Sequence, residues 1–272
     1  MAKEFNPQTP EGFDCKKDGV EYGCLTEVEY FSKTTDTMRK CFVYTPPNYN
    51  PDTVYPVMYL LHGIGGTHTE WLNGTPNEIL SNLIAGGEAS PMIVVIPNVR
   101  AAKDDSIPEE IFTPTHTAAF DNFINDLRND LMPFISANYK VSSKREECAI
   151  AGLSMGGRES LFIGISMPET FGYIGAFSPA PGLLPSDRED DRMKHPGMLT
   201  PDKMTLPEEY KDKTFILICN GYEEAMFDYL AKSYMDAFNS NGITPIYYTT
   251  DGGHDFRVWK NGLYHFAKRI FK

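Results

Sequence analysis

Excess basic charge, long apolar runs and an even set of cysteines are what this sequence lacks. Lysine and arginine number 25 against 37 acidic residues, giving a net charge of −12 and a pI near 5.0. Without a cationic patch, nucleic acid and anionic membrane surfaces are excluded as expected partners. The longest apolar stretches, Val57 to Leu61 and Met92 to Pro97, fall far short of the roughly 18 to 20 residues that cross a bilayer, so no transmembrane helix is expected. Met1-Ala-Lys-Glu-Phe5 lacks the basic-then-apolar pattern of a secretory signal, which leaves a cytoplasmic protein or one whose signal has been removed. Five cysteines, at 15, 24, 41, 148 and 219, cannot all pair. Cys148 and Cys219 lie in strand-like runs and read as small buried hydrophobes, while Cys15 and Cys24 could close a small loop. Repeats, linkers and low-complexity tracts are absent, and the histidines form no metal-binding cluster.

What is present is enough apolar material for a large core, 41% of 272 residues, a length ordinary for one α/β domain. A single domain over 1–272 is expected, with residues 1–18 an irregular lead-in rich in turn formers. Leu25 to Phe31 and Lys40 to Thr45 read as an edge hairpin. Val57 to Leu61, Met92 to Ile96, Cys148 to Ala151, Tyr173 to Phe177, Phe215 to Cys219 and Ile246 to Thr249 read as strands buried on both faces. Helical spacing appears between them, over Pro76 to Ala85, Phe120 to Asn138, Met155 to Met167, Phe227 to Asn239 and Val258 to Phe271. Alternating strands and helices predict a mostly parallel central sheet with helices on both faces. Pro181 to Tyr210 reads as a surface excursion that could help cover a site.

The chemistry is concentrated in three places. Cys148-Ala-Ile-Ala-Gly-Leu-Ser154-Met-Gly-Gly157 carries a strand into G-x-S-x-G and then into a helix. This resembles the nucleophile elbow of the α/β-hydrolase fold, in which small residues permit the turn that lifts a serine hydroxyl out of the sheet. A serine needs an adjacent base, and His254, in Asp251-Gly-Gly-His-Asp-Phe256 after the last strand, lies at the same sheet edge. His68, His116, His195 and His265 lack such a setting and read as surface residues. The third member should be a carboxylate after Phe215 to Cys219 that fixes the imidazole tautomer. Glu223 is the first choice, four residues past that strand, with Glu224 its main rival and Asp228 a distant third. Leu60-Leu-His62-Gly-Ile-Gly-Gly66 supplies the other half of an oxyanion hole, with the backbone N–H groups of Ile64 and Met155 as donors. His62 reads as a brace for this turn.

On Tyr59-Leu-Leu-His-Gly-Ile-Gly-Gly66 followed by Glu70-Trp71, on Ala149 to Gly157, and on Gly252-Gly-His-Asp-Phe-Arg-Val-Trp259, the sequence resembles carbohydrate esterase family 1. The likeness is especially to the feruloyl esterase modules attached to xylanases of cellulolytic anaerobes. The resemblance runs from about Tyr22 to the C-terminus. It implies cofactor-free hydrolysis of feruloyl esters on arabinoxylan outside the cell, with acetyl esters on xylan as a weaker or additional activity, in company with other wall-degrading modules. It places Ser154 and His254 as nucleophile and base, with Ile64 and Met155 as oxyanion donors. Such modules usually carry aspartate as the acid, and this chain offers glutamate. Trp71 and Trp259 would either border the acyl or sugar pocket or pack the scaffold beneath it. The competing readings are an esterase D or S-formylglutathione hydrolase type of enzyme and a non-catalytic binding module on a hydrolase scaffold.

Overall fold

In a computed structural model of the chain, residues 5–186 and 196–272 are described. Eight strands form one sheet: β1 (Cys24–Ser32), β2 (Thr37–Thr45), β3 (Val57–Leu61), β4 (Ile93–Pro97), β5 (Cys148–Leu153), β6 (Tyr173–Phe177), β7 (Phe215–Gly221) and β8 (Ile246–Thr250). Their order is β1-β2-β4-β3-β5-β6-β7-β8. The β1–β2 hairpin and the β2–β4 pair are antiparallel, and every other pair is parallel. This is the expected mostly parallel α/β sheet with an edge hairpin.

Among the described residues, the helices are α1 (Pro76–Ala85), α2 (Pro114–Asp121), α3 (Phe123–Asp126), α4 (Met132–Asn138), α5 (Met155–Ser166), α6 (Glu208–Lys211), α7 (Ala225–Ser240) and α8 (Phe256–Ala267). They explain why β3, β4 and β5 are apolar at every position. Val57, Tyr59 and Leu61 pack with Leu161 of α5 and Tyr234 of α7 on one face, while Met58 and Leu60 pack with Ile79 of α1 and Phe266 of α8 on the other. A sheet covered on both sides has no solvated face to alternate toward, and each large aliphatic chain buried this way contributes about 1.5–3 kcal/mol.

The stretch expected as one helix over Phe120 to Asn138 is longer and broken. It starts earlier because Thr113 caps α2, its hydroxyl accepting from His116 N–H at 3.2 Å, with Pro114 in the first turn. A π-helical segment, Leu127–Leu131, precedes Pro133 near the start of α4. Proline has no N–H for the carbonyl four residues back, and the hydrogen-bond ladder shifts there.

Other expectations are revised. All five cysteines are free, so Cys15 and Cys24 close no loop. From Phe5 on, the lead-in lacks regular structure but is pinned to β8 and α8: Phe5 stacks on Tyr248 of β8 with ring centroids 4.3 Å apart, and the Pro7 carbonyl accepts from Asn261 Nδ2 at 2.7 Å and His265 Nε2 at 3.0 Å, both on α8. The excursion from Pro181 is not a loose surface loop where it is described, since Leu183, Met204 and Leu206 are buried in the core on the α7 side. His116 and His265 are buried rather than on the surface, and His195 lies outside the described residues.

Burial pushes the His265 imidazole down from the ordinary 6.5 to about 4. The unfolded chain therefore takes up a proton between those values that the folded chain refuses. The stabilisation is complete above about pH 6.5 and is lost as pH falls toward 4. Urea denaturation of wild type and His265→Gln at pH 7 and pH 5 should show wild type losing about 1–2 kcal/mol more than the variant over that interval. Parallel losses would mean that His265 is not held neutral.

Candidate active site

The sharp turn between β5 and α5 sets the site. Ser154 sits at φ 52° and ψ −117°, an unusual backbone for a side-chain-bearing residue. Two glycines make room for it. A Cβ on Gly152 would lie 2.5 Å from the Gly156 carbonyl, and one on Gly156 would lie 2.5 Å from the Leu61 oxygen. The strand and helix can thus approach each other, and the helix can approach the end of β3, only because both positions lack a side chain. Hydrogen bonds hold the turn: Ser154 N–H donates to Phe177 O at 2.9 Å, and Ser154 O accepts from Arg158 N–H at 3.1 Å and Ala180 N–H at 3.0 Å.

His254 reaches this turn from the loop after β8. Its Nε2 lies 2.9 Å from Ser154 Oγ, and its Nδ1 lies 2.6 Å from Glu224 Oε1. With Nδ1 donating to the carboxylate, Nε2 presents a lone pair to the serine hydroxyl. The ring is held between Phe227, stacked at 3.9 Å, and the edge-on Trp259 at 5.1 Å. The acid and base loops meet at Gly221 and Gly252, where a Cβ on Gly221 would fall 2.1 Å from Gly252 O.

The carboxylate that meets His254 is Glu224, which corrects the first choice of Glu223. Strand β7 runs two residues further than expected, to Gly221. The chain then turns, with Glu224 N–H donating to Gly221 O at 3.2 Å, so residue 223 is at the exposed tip and residue 224 folds back beneath it. Glu223 faces solvent, 3.7 Å from Arg257. Glu224 is buried, and its second oxygen accepts from Ser178 Oγ–H at 2.8 Å and Gly221 N–H at 2.6 Å. Asp228 is engaged elsewhere, with Lys232 and Tyr247.

The turn after β3 lies against the nucleophile, for a Cβ on Gly63 would be 3.3 Å from Ser154 Cβ. His62 Nδ1–H donates to Gly63 O at 2.7 Å, and its Nε2 accepts from Val99 N–H at 2.8 Å. Burial pushes this imidazole down to about 3, so it is a neutral brace. The buried His116, which had no apparent setting in the sequence, donates from Nε2 to Ile64 O at 2.8 Å. Within the described residues the Ile64 N–H has no backbone acceptor, and Met155, first in α5, has an N–H with no intrahelical acceptor. The two N–H groups come from different elements, Met155 next to Ser154 in the chain and Ile64 next to Gly63, which lies against Ser154.

The tryptophans take separate places. Trp71 is fully buried, its Nε1–H donating to Leu61 O at 2.9 Å, so it packs the scaffold and does not border a pocket. Trp259 is 7% exposed and backs the His254 ring. A hydroxyl, an imidazole and a carboxylate in line, beside two free N–H groups, can take a proton from the hydroxyl while an anion forms on a bound carbonyl.

The family described as "Putative esterase" matches residues 32–269. The endo-1,4-beta-xylanase/feruloyl esterase of Xylanibacter ruminicola is 29% identical over 275 residues, covering 98% of this chain and 34% of that protein. This chain therefore spans about a third of that relative's length. The endo-1,4-beta-xylanase Y of Acetivibrio thermocellus is 26% identical over 152 residues, 52% of this chain and 12% of its own length. Among solved structures, the CE1 ferulic acid esterase AmCE1/Fae1A of Anaeromyces mucronatus in complex with ferulic acid superposes with a TM-score of 0.91, at 34% identity over 98% of both chains.

A fluorophosphonate reports whether Ser154 is activated by the His254–Glu224 pair. Glu224→Gln should slow its labelling at Ser154 by about 10³-fold or more, whereas Glu223→Gln should label within about threefold of wild type, as an exposed substitution would. Equal slowing in the two variants, or a larger effect at Glu223, would reverse the assignment of the acid.

Proposed function

The chain belongs to the esterase family, and from that premise we propose that it is a serine carboxylic ester hydrolase acting on feruloyl and related hydroxycinnamoyl esters of plant cell-wall arabinoxylan. The observation that carries the reading is the continuous relay from Ser154 through His254 to Glu224, with both hydrogen bonds formed. The acyl class comes from likeness to proteins named as feruloyl or ferulic acid esterases.

The reaction follows from the geometry in two halves. Ser154 Oγ attacks the ester carbonyl as its proton passes to His254 Nε2. The imidazolium that forms is stabilised by Glu224, and the carbonyl oxygen, now an anion, is held by the N–H groups of Ile64 and Met155. His254 returns the proton to the sugar oxygen, which leaves and creates the acyl-enzyme. Water then enters on the vacated side and attacks the acyl carbonyl as its proton passes to His254; collapse of this second oxyanion breaks the bond to Ser154 Oγ, which takes the proton back from His254 as the free acid leaves. Glutamate in place of the usual aspartate is accommodated because its longer side chain begins at the N-terminal boundary of α7 and reaches back to the imidazole.

Acetyl esters of xylan are a second substrate class within this reading. A planar phenolic ring adds burial worth on the order of a few kcal/mol that an acetyl group lacks, so discrimination belongs in kcat/KM and not in an absolute block. Action on a plant-wall polymer places the protein outside the cell, alongside other modules of a wall-degrading system. A largely neutral xylan chain asks for no cationic groove, which is compatible with the net charge of −12.

Wild type and Ser154→Ala should be assayed on methyl ferulate, feruloylated arabinoxylan oligosaccharides, acetylated xylan and S-formylglutathione. Wild type should release ferulate most efficiently, and Ser154→Ala should lose roughly 10⁴-fold or more in kcat on every substrate. Robust deacetylation without ferulate release would overturn the acyl specificity, preference for the thioester would move the enzyme to the esterase D type, and a tenth of wild-type turnover in Ser154→Ala would remove the nucleophile.

A further inference from the structure

The Glu70-Trp71 pair has no part in the mechanism above, yet both residues hold the turn that carries Ile64. They lie in a 3-10 turn, Glu70–Gly74. Trp71 fastens that turn to the end of β3 through Leu61 O, and Glu70 Oε2 accepts the Gly63 N–H at 2.7 Å. Space around the turn is shaped for this carboxylate. A Cβ on Gly66 would lie 2.3 Å from Glu70 Oε2, and one on Gly63 would lie 3.4 Å from the same atom. The carboxylate thus occupies the space that a side chain at Gly66 would need and lies at contact distance from Gly63, whose other side meets Leu153 and Ser154.

The consequence follows from peptide planarity. The carbonyl of Gly63 and the N–H of Ile64 belong to one plane and point in opposite directions. That carbonyl is held by His62 Nδ1–H at 2.7 Å and by Gly66 N–H at 3.1 Å. The plane before it, which carries the Gly63 N–H, is held by Glu70. Gly63 between the two planes has a glycine's freedom in φ and ψ, so without a grip on both sides the Ile64 N–H could swing. The far end of the turn is tied by Arg100, whose Nη1 donates to Gly66 O.

We propose that Glu70 is a positioning residue for the oxyanion hole, fixing the Gly63 peptide so that the Ile64 N–H stays aimed at the carbonyl oxygen, without itself touching substrate. This rests on the reading of Ser154 as nucleophile and Ile64 as donor. The role asks for an accepting oxygen and not for a charge. Burial raises the pKa of the Glu70 carboxyl, opposed by the Gly63 hydrogen bond, His254 and Arg100. An amide at the same reach also presents an accepting oxygen, so glutamine should substitute and alanine should not.

The test uses Glu70→Ala, Glu70→Asp and Glu70→Gln with p-nitrophenyl butyrate and methyl ferulate. It adds inhibition by an aryl trifluoromethyl ketone, which adds to serine as a tetrahedral oxyanion, and by ferulic acid, which does not. Glu70→Ala should lose roughly 10- to 100-fold in kcat, with KM and the ferulic acid inhibition constant within about threefold of wild type and trifluoromethyl ketone affinity falling by the same factor as kcat. Glu70→Gln should stay within about threefold of wild type throughout, and Glu70→Asp, one methylene short, should lose about tenfold in kcat. A loss confined to KM, an unchanged trifluoromethyl ketone affinity, or Glu70→Gln falling as far as Glu70→Ala would overturn the proposal. Near-ultraviolet circular dichroism checks the fold; if Glu70→Ala does not fold, Glu70→Asp with wild-type kcat overturns it equally. A wild type that hydrolyses neither ester and resists fluorophosphonate would instead overturn the esterase reading, so the two failures are distinct.

Discussion

A serine at φ 52° does not hold that conformation by itself. Such a backbone costs on the order of 1–3 kcal/mol and persists only where its surroundings leave no alternative. Here the surroundings are the close contact of β5 with α5 and the hydrogen bonds from Ser154 to β6 and to Ala180. The hydroxyl is raised above the C-terminal edge of the sheet, and the remaining groups converge on it from the ends of β3, β7 and β8. Parallel strands make this possible, since all of their C-terminal ends open on one edge.

The relay also depends on having no polar atom left over. Glu224 divides its two oxygens between His254 on one side and Ser178 with Gly221 on the other, so a buried carboxylate is fully engaged while its orientation is fixed. Ser178 itself sits at φ 48°. Two strained serines at the ends of neighbouring strands thus serve one imidazole, one by presenting its hydroxyl to the ring and the other by holding the ring's partner.

Most of the fold was legible because strands buried on both faces are written as short apolar runs, and the elbow was legible because its glycines surround the serine at fixed spacing. What could not be read were the choices made by chain geometry. Glu223 and Glu224 differ only in which side of a turn they occupy, and that depended on β7 continuing through Asn220 and Gly221, residues with little strand character. Asn220 is fully buried with its amide atoms unpaired among the described residues, a placement that composition argues against. His116 and His265 were misplaced for a similar reason. Each bonds to a single backbone carbonyl, of Ile64 and of Pro7, and a partner so distant in sequence leaves no local sign. Trp71 lay near the correct motif but faced inward, because its indole N–H serves the end of β3.

The near-contact of Gly221 with Gly252 limits how this scaffold could be re-engineered. The acid and base loops touch backbone to backbone there, so any side chain at Gly221 would part them before its polarity mattered. Combinatorial libraries built to change the leaving alcohol or acyl group should hold these two positions constant and place their diversity on exposed residues such as Tyr222 and Phe112. In such a library, tolerance would be set by volume at Gly221 and by the left-handed backbone, φ 126°, at Gly252, and screening them would return chains with a separated relay and not chains with a new specificity.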